Sequence, residues 1–330
     1  MCIYKNRIRP ELKDEPMETP QISVCICTFR RPCVRQTIES IARQSLDPEV
    51  RFEIVVVDND FEPSARSVVE ATHADFDHLD LTYVHAPAQN ISIARNACLN
   101  TARGEWVAFI DDDEIASEDW LKNHVATAEK GGHDIYVGPV IAAYPDDAPN
   151  WAVEADMHTV RGDDRRPIMT GHTGNVFFKR EHPSIKDVRF SEERGRTGGE
   201  DTEFFHTCFQ RGAKIEHSEH AFVFEPVPHH RLSVEWMAKH KFRSGITYGK
   251  VIQYQSGFAG NLLKLIASGA KSACLYVLSC LQFKSVGESR RNYLRAVFHA
   301  GVVAAFFSVR EAEYYGDVTP VPTDLSKNGS

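Results

Sequence analysis

Four adjacent acids, Asp111-Asp112-Asp113-Glu114, follow the apolar run Trp106 to Ile110. Like charges packed this closely repel one another, and a divalent cation is the usual remedy because hard ions take carboxylate oxygens. Two carboxylates at one strand end can hold Mg²⁺ or Mn²⁺ while diphosphate oxygens complete the shell. The plainer reading is a solvated acidic loop ahead of a helix near Ser117. Asp58 closes a second apolar run, Val55-Val56-Val57. Its carboxylate can accept from a nucleobase imide or a ribose hydroxyl, or it can simply form a turn. Arg95 and Asn96 lie in Asn90-Ile91-Ser92-Ile93-Ala94-Arg95-Asn96-Ala97. A helix starting near Ser92 puts Arg95 at its positive dipole end, where a cation is locally unfavourable unless it faces an anion such as a phosphate or sits in a surface salt bridge. Gly198-Gly199-Glu200-Asp201 opens a later helix. Its acids can serve as capping charges, or one of them can take a proton from a hydroxyl nucleophile. His229 and His230 follow Pro226-Val227-Pro228 and are candidates for a metal or diphosphate contact, although most of the 15 histidines must be structural.

These residues need a frame, and the apolar pattern supplies one. Strand-like runs cover 22–28, 52–58, 81–85, 106–111 and 134–140. Helical segments lie between them, from Pro32 to about Gln44, from Pro63, from Ser92 to Ala102 and from Ser117 to about Lys130. Near-continuous apolar strands alternating with helices predict an α/β fold, a mostly parallel sheet covered on both faces. Ligands of such sheets bind beyond the carboxyl ends of the strands. Thr28-Phe29-Arg30-Arg31, Asp58-Asn59-Asp60 and Asp111 to Glu114 all fall at that rim. After Val140 the rhythm breaks. Residues 141–170 read as a long ordered loop, 175–180 as a strand, Glu200 to Arg211 as a helix, and two short strands precede His229. From Leu232 to Arg310 the chain reads as helical and basic. The expected organisation is a flexible arm over 1–20, a catalytic domain over 21–231, a basic helical region over 232–315 and a flexible tail over 316–330.

Composition narrows the classes. The 330 residues are 42% hydrophobic and 25% charged, which excludes a disordered chain. A net charge of −8 argues against a general nucleic-acid binder. The stretch 239–310 departs from that balance, with eleven Lys or Arg against Glu288 alone. No pair among the eight cysteines is spaced as CxxC, so a zinc ribbon is not expected. The polar first twenty residues read as no secretory leader, and a reduced, cytoplasmic setting is the expectation. No apolar run reaches the eighteen or so residues of a straightforward membrane span. Glycine-rich phosphate motifs and the Gly-x-Ser-x-Gly elbow are absent.

The runs SVCICTFRRP, VVVDND, NISIARNA, FIDDDE and GGEDTEFF, in this order, resemble the family 2 glycosyltransferases, which have the GT-A fold. DNDFEPSAR, NISIARNACL, FIDDDEIASEDWL, VGPVIAAYPDDAPNW and TGHTGN are similar to bacterial succinoglycan-type exopolysaccharide glucosyltransferases. The resemblance implies that Thr28, Arg30 and Asp58 line the nucleotide pocket, with Asp58 on the uracil and Arg95 and Asn96 beside it. It implies Asp112 on the ribose, Asp113 as principal ligand of Mg²⁺ or Mn²⁺, and Asp111 in support; His229 is a further candidate ligand. It implies Asp201 as general base with Glu200 on the acceptor side, and His172, Gly174 and Asn175 shaping the donor or acceptor pocket. The implied reaction is inverting transfer of one sugar, glucose from UDP-glucose, to a polyprenyl-diphosphate-linked oligosaccharide. The stretch Arg231 to Trp236 does not match the QxxRW motif of processive synthases.

Two apolar stretches, 273–283 and 296–309, are flanked by Lys and Arg and suit helices lying on an anionic membrane surface. That predicts a peripheral enzyme at the cytoplasmic face of the inner membrane. An ordinary helical subdomain or a dimer interface would look alike. Two other functions share the motifs: a polyprenyl-phosphate sugar transferase and a non-catalytic sugar-nucleotide-binding protein.

Overall fold

A computed structural model of the chain describes residues 4–7, 19–162, 167–253, 258–281 and 285–307. Its first half alternates strand and helix: β1 (Tyr4–Arg7), β2 (Ile22–Thr28), α1 (Val34–Ala42), β3 (Phe52–Asp58), α2 (Arg66–Asp75), β4 (Asp80–His85), α3 (Ile91–Thr101), β5 (Trp106–Asp111), β6 (Ile115–Ala116) and α4 (Trp120–Glu129). There follow β7 (Ile135–Val137), β8 (Val140–Ala143), α5 (Asn150–Ala155), β9 (Asn175–Lys179), α6 (Glu200–Gln210), β10 (Ile215–His217) and β11 (Val223–Pro226). A 3-10 turn at His229–Arg231 leads into α7 (Val234–Gln253), α8 (Phe258–Leu281) and α9 (Val286–Ala305).

Eight strands form one sheet in the order β1-β4-β3-β2-β5-β9-β7-β10, and β6-β11-β8 form a second. Strands β4, β3, β2 and β5 run parallel, while β9 is antiparallel to both β5 and β7. Alternation along each strand feeds two cores, as the pleat requires. Ile22, Val24 and Ile26 of β2 pack with Ile38, Val69 and Trp120 on one face. Cys25, Val55 and Val57 pack with Ala94, Phe204 and Phe205 on the other. The parallel register sets Thr28 beside Asp58 and Cys27 beside Asp111, so the polar strand ends share one rim.

Three expectations change. The first twenty residues are not wholly an arm, because β1 pairs antiparallel with β4 at the sheet edge. The rest of that arm (1–3 and 8–18) and the tail 316–330 lie outside the described residues. The run 134–140 is two strands, not one. It breaks at Gly138-Pro139, where a Cβ on Gly138 would stand 2.4 Å from Asn175 Nδ2, and β7 and β8 join different sheets. The loop 141–170 contains β8 and the short α5.

The basic region is a three-helix bundle in which α9 packs on both α7 and α8. Glycines bring α7 and α9 into backbone contact: a Cβ on Gly245 would stand 2.1 Å from Phe298 O, and one on Gly301 2.1 Å from Phe242 O. Leu294, Ala296, Val302 and Ala305 are buried there, so one face of the described part of 296–309 packs within the protein, while Phe307 is exposed. Helix α8 is different. Leu263, Ile266, Val277 and Leu281 are exposed, and its 24 residues, with a window of mean hydropathy 1.3, are long and apolar enough to cross a membrane. The linear reading missed this because Lys264 and Lys271 interrupt the run.

Candidate active site

A cleft of about 390 Å³ opens at the carboxyl rim. It is lined by Cys27, Phe29 and Arg31 after β2, Ile91 and Arg95 of α3, Asp111 and Asp112 after β5, the Gly195 to Gly198 loop, Glu200, and Arg231 and Arg243. Arg31 bridges the acidic cluster: its Nη1 lies 3.0 Å from Asp112 Oδ1 and also pairs with Asp113. Arg95 is buried, pairs with Glu200, and has its Nη2 3.9 Å from Asp111 Oδ1. Burial opposes the charge of both arginines, and the neighbouring carboxylates more than offset it.

The acids are under strain of charge. Burial pushes the Asp112 carboxyl up to about 7; Arg31 pulls it down and Asp113 pushes it up. Burial, then repulsion from Asp111, holds Glu114 well above the carboxylate range. Burial, then Asp113, raises Glu225 of β11. Glu225 reaches the same corner because β11 pairs with β6, directly after the cluster. A Cβ on Gly174 would stand 2.8 Å from Glu114 Oε1, so only glycine leaves room for that carboxylate. Among the described residues no three His, Cys, Asp or Glu side chains form a ready metal cage. The donor set nevertheless fits a hard cation, because one or two carboxylates suffice when substrate phosphates complete the shell.

Helix α3 clamps the loop that delivers Glu200 and Asp201. Asn90 caps it, accepting from Ser92 N (3.1 Å) and Ile93 N (3.3 Å), and donates to Glu192 O at 2.8 Å. Ser92 Oγ donates to Ser191 O at 2.7 Å. Asn96 donates to Phe190 O and accepts from Phe190 N, each at 2.9 Å. A Cβ on Gly195 would lie 1.8 Å from Asn90 Oδ1, so the loop sits tight on the cap. Gly198 and Gly199 then take φ of +91° and +84°, a turn that suits glycine, and α6 begins. Glu200 lines the cleft with its Oε2 unpartnered among the described residues. Burial raises its carboxyl and Arg95 works against that. Asp201 is half-buried beside it, accepts from Thr202 N at 2.6 Å, and pulls on the half-buried His172, whose imidazole desolvation holds below its usual range.

The structure thus gathers Arg95, Asp111, Asp112 and Glu200 around one cleft, with Asp113 tied to Arg31 and Asp201 adjoining Glu200. Thr28 is buried at the end of β2. Other expected residues have different work. Asp58 is fully buried and accepts from Asp60 N (3.0 Å), Ala65 N (2.8 Å) and Tyr83 Oη (2.8 Å), so its carboxylate organises the turn after β3. Arg30 takes a left-handed φ of 55° and turns to Asp60 at 2.8 Å, leaving the cleft to Arg31. Asn96 holds the loop, not the cleft. Asn175 is a core node: its Nδ2 donates to Pro139 O (2.9 Å) and Ala221 O (2.7 Å), which turns Oδ1 toward Trp120 Nε1 and His124 Nε2, both at 2.9 Å. His229 is exposed, 3.6 Å from Asp147 and outside the cleft lining. Sequence reasoning did not single out Arg196, Arg231, Arg243 or Glu225 as site residues. They come from separate segments of the chain, and no local motif marks them.

Comparison with known proteins agrees with this fold. The sequence model for glycosyl transferase family 2 matches residues 23–191. The succinoglycan biosynthesis protein ExoM of Rhizobium meliloti is 40% identical over 302 residues, 91% of this chain and 97% of that protein. The glucosyl-dolichyl phosphate glucuronosyltransferase of Haloferax volcanii is 25% identical over 68% of this chain and 75% of its own. Among solved structures, the mannosyltransferase PcManGT of Pyrobaculum calidifontis, in complex with GDP-Man and Mn²⁺, superposes with a TM-score of 0.58 at 19% identity, covering 91% of each chain. That likeness shows a shared GT-A fold.

Proposed function

The chain belongs to glycosyl transferase family 2, and we propose that it moves a single glucose from UDP-glucose, with inversion, onto a polyprenyl-diphosphate-linked oligosaccharide during exopolysaccharide synthesis. The observation that carries this reading is the one cleft joining Asp111 and Asp112 at the end of β5 to Glu200 at the start of α6, with arginines between them. Relatives named for succinoglycan biosynthesis and for a glucosyl-dolichyl phosphate substrate support the pathway and the lipid-linked acceptor.

Asp113, with Asp111, would hold Mg²⁺ or Mn²⁺, which when bound supplies positive charge at the leaving diphosphate. Arg31 orients Asp112 and Asp113 from the end of the neighbouring strand β2. Arg95 fixes Glu200 and so the start of α6. Asp201 then takes the proton from the acceptor hydroxyl, and attack on the anomeric carbon from the face opposite the diphosphate inverts its configuration. General-base assistance of this kind is worth on the order of 10²–10⁴-fold. The exposed apolar side of α8, with Lys264 and Lys271, suits association with an anionic membrane surface.

The test is incubation with labelled UDP-sugars and a membrane lipid extract, with and without EDTA. Label from UDP-glucose is expected in an acid-labile lipid fraction, lost with EDTA and restored by Mn²⁺. Transfer to lipid phosphate itself, independent of Asp201, would replace the reading with a polyprenyl-phosphate sugar transferase. Absence of any UDP release would remove it.

A further inference from the structure

The cleft has two cationic walls. On the sheet side, Arg31 and Arg95 are bound to the acids of the rim. The other wall is Arg196, Arg231 and Arg243, none of them from the sheet. Arg196 is exposed at the cleft mouth. Arg231 keeps Glu225 at 2.7 Å and stacks over Trp236. Next along α7, Lys241 is half-buried and has no carboxylate partner among the described residues. Burial, with Lys241 and Arg231 adding repulsion, pushes His158 down to about 4 and His240 to about 3, so neither imidazole adds charge at neutral pH.

The helix that carries Arg243 touches the catalytic loop and is joined to α8 only through α9. Arg243 and Thr247 stand four residues apart on one face of α7. Thr247 Cγ2 is 2.5 Å from where a Cβ on Gly199 would be, so α7 rests on the turn before Glu200 and Asp201. Through Gly245 and Gly301 the same helix is locked to α9, and α9 carries α8 with its exposed apolar residues. A ligand that meets this wall with its charge and α8 with an apolar tail is an amphiphilic anion. A nucleotide sugar has no such tail.

We infer that Arg196, Arg231 and Arg243 form the site for the diphosphate of the lipid-linked acceptor, separate from the donor's diphosphate at the sheet rim; this rests on the function proposed above. Guanidinium groups suit it because their forked donors match phosphate oxygens.

The test uses the full chain, with farnesyl diphosphate as probe and UDP with Mn²⁺ titrated in parallel. Wild type is expected to bind farnesyl diphosphate more tightly than inorganic pyrophosphate. The Arg196→Gln/Arg243→Gln variant should bind it about tenfold or more weakly, the loss of charged hydrogen bonds, while its UDP affinity stays unchanged. Arg243→Lys, which keeps the charge, should recover part of the loss, and matched thermal melts establish folding. Unchanged farnesyl diphosphate binding in the double variant, a parallel loss of UDP, or equal affinity for pyrophosphate and farnesyl diphosphate would each overturn the assignment. A wild type that binds UDP but not farnesyl diphosphate overturns this inference alone. One that binds neither defeats the glycosyl-transfer reading as well.

Discussion

At the amino end of the sheet, the buried carboxylate of Glu53 accepts from Ser23 Oγ (2.6 Å), Arg103 N (2.7 Å) and Arg103 Nε (2.8 Å), and the same arginine also reaches Asp80. At the carboxyl end, Asp111, Asp112, Asp113, Glu114 and Glu225 crowd one another, and Glu200 Oε2 has no partner among the described residues. The residue types are alike. What differs is satisfaction: one end closes its hydrogen bonds internally, the other holds carboxylates at a cost that a ligand can relieve. A fully paired buried network rigidifies a fold, whereas unmet polar groups gathered in a cleft mark chemistry.

The contrast can be tested from both ends. The largest expected effect is at the rim: Asp201→Asn should lower turnover by on the order of 10²–10⁴-fold while UDP-sugar binding and melting temperature hold. Wild-type turnover in a purified sample would remove the base assignment.

A second test concerns the satisfied interior. Burial lowers His124 to about 4, and its ring donates to Asn175. Below an ordinary imidazole pKa of about 6.5 the unfolded chain takes the proton first, so this contribution is full above that pH and is lost as pH falls toward 4. The stability difference between wild type and His124→Gln should therefore shrink by up to about 3 kcal/mol between pH 7 and 4. Parallel curves from chemical denaturation would contradict it.

Arg103→Ala should cost about 2 kcal/mol of stability with turnover per folded molecule unchanged. Arg103 is partly exposed and its backbone N–H stays on Glu53, which places the loss below the 3–5 kcal/mol of a fully buried pair. A fall in turnover with no change in denaturation midpoint would reverse the roles given to the two ends. The smallest effect is on the rim's titration. With Asp112 near 7 in the free protein, Mn²⁺ affinity should fall about tenfold from pH 8 to pH 6, because the proton competes with the cation. A flat calorimetric profile would exclude Asp112 from the charge the cation sees.

Local chemistry was legible in the sequence wherever neighbours in the chain are neighbours in space. The runs 22–28, 52–58 and 106–111 are strands with those bounds, because each ends where apolar residues give way to charge. NISIARNA did mark a helix start, but its clamp on residues 190–195 joins segments about a hundred residues apart, which no local pattern displays. Asp58 looked like a ligand residue because a strand-end acid and a turn-forming acid have the same sequence; only Ala65 and Tyr83 tell them apart. Arg30 and Arg31 are adjacent and indistinguishable by type, and the left-handed backbone at Arg30 decides which one enters the cleft. The glycines that seat α7 on the turn before Glu200 and on α9 were invisible as contacts for the same reason.

The most direct measurement of the central claim is calorimetric titration of UDP into the full chain with and without Mn²⁺, for wild type and Asp113→Asn. Saturable binding that needs Mn²⁺ and is lost in Asp113→Asn is the predicted result. Binding of equal strength without Mn²⁺, or equal in the variant, would show that the acidic rim is not where the nucleotide diphosphate is held.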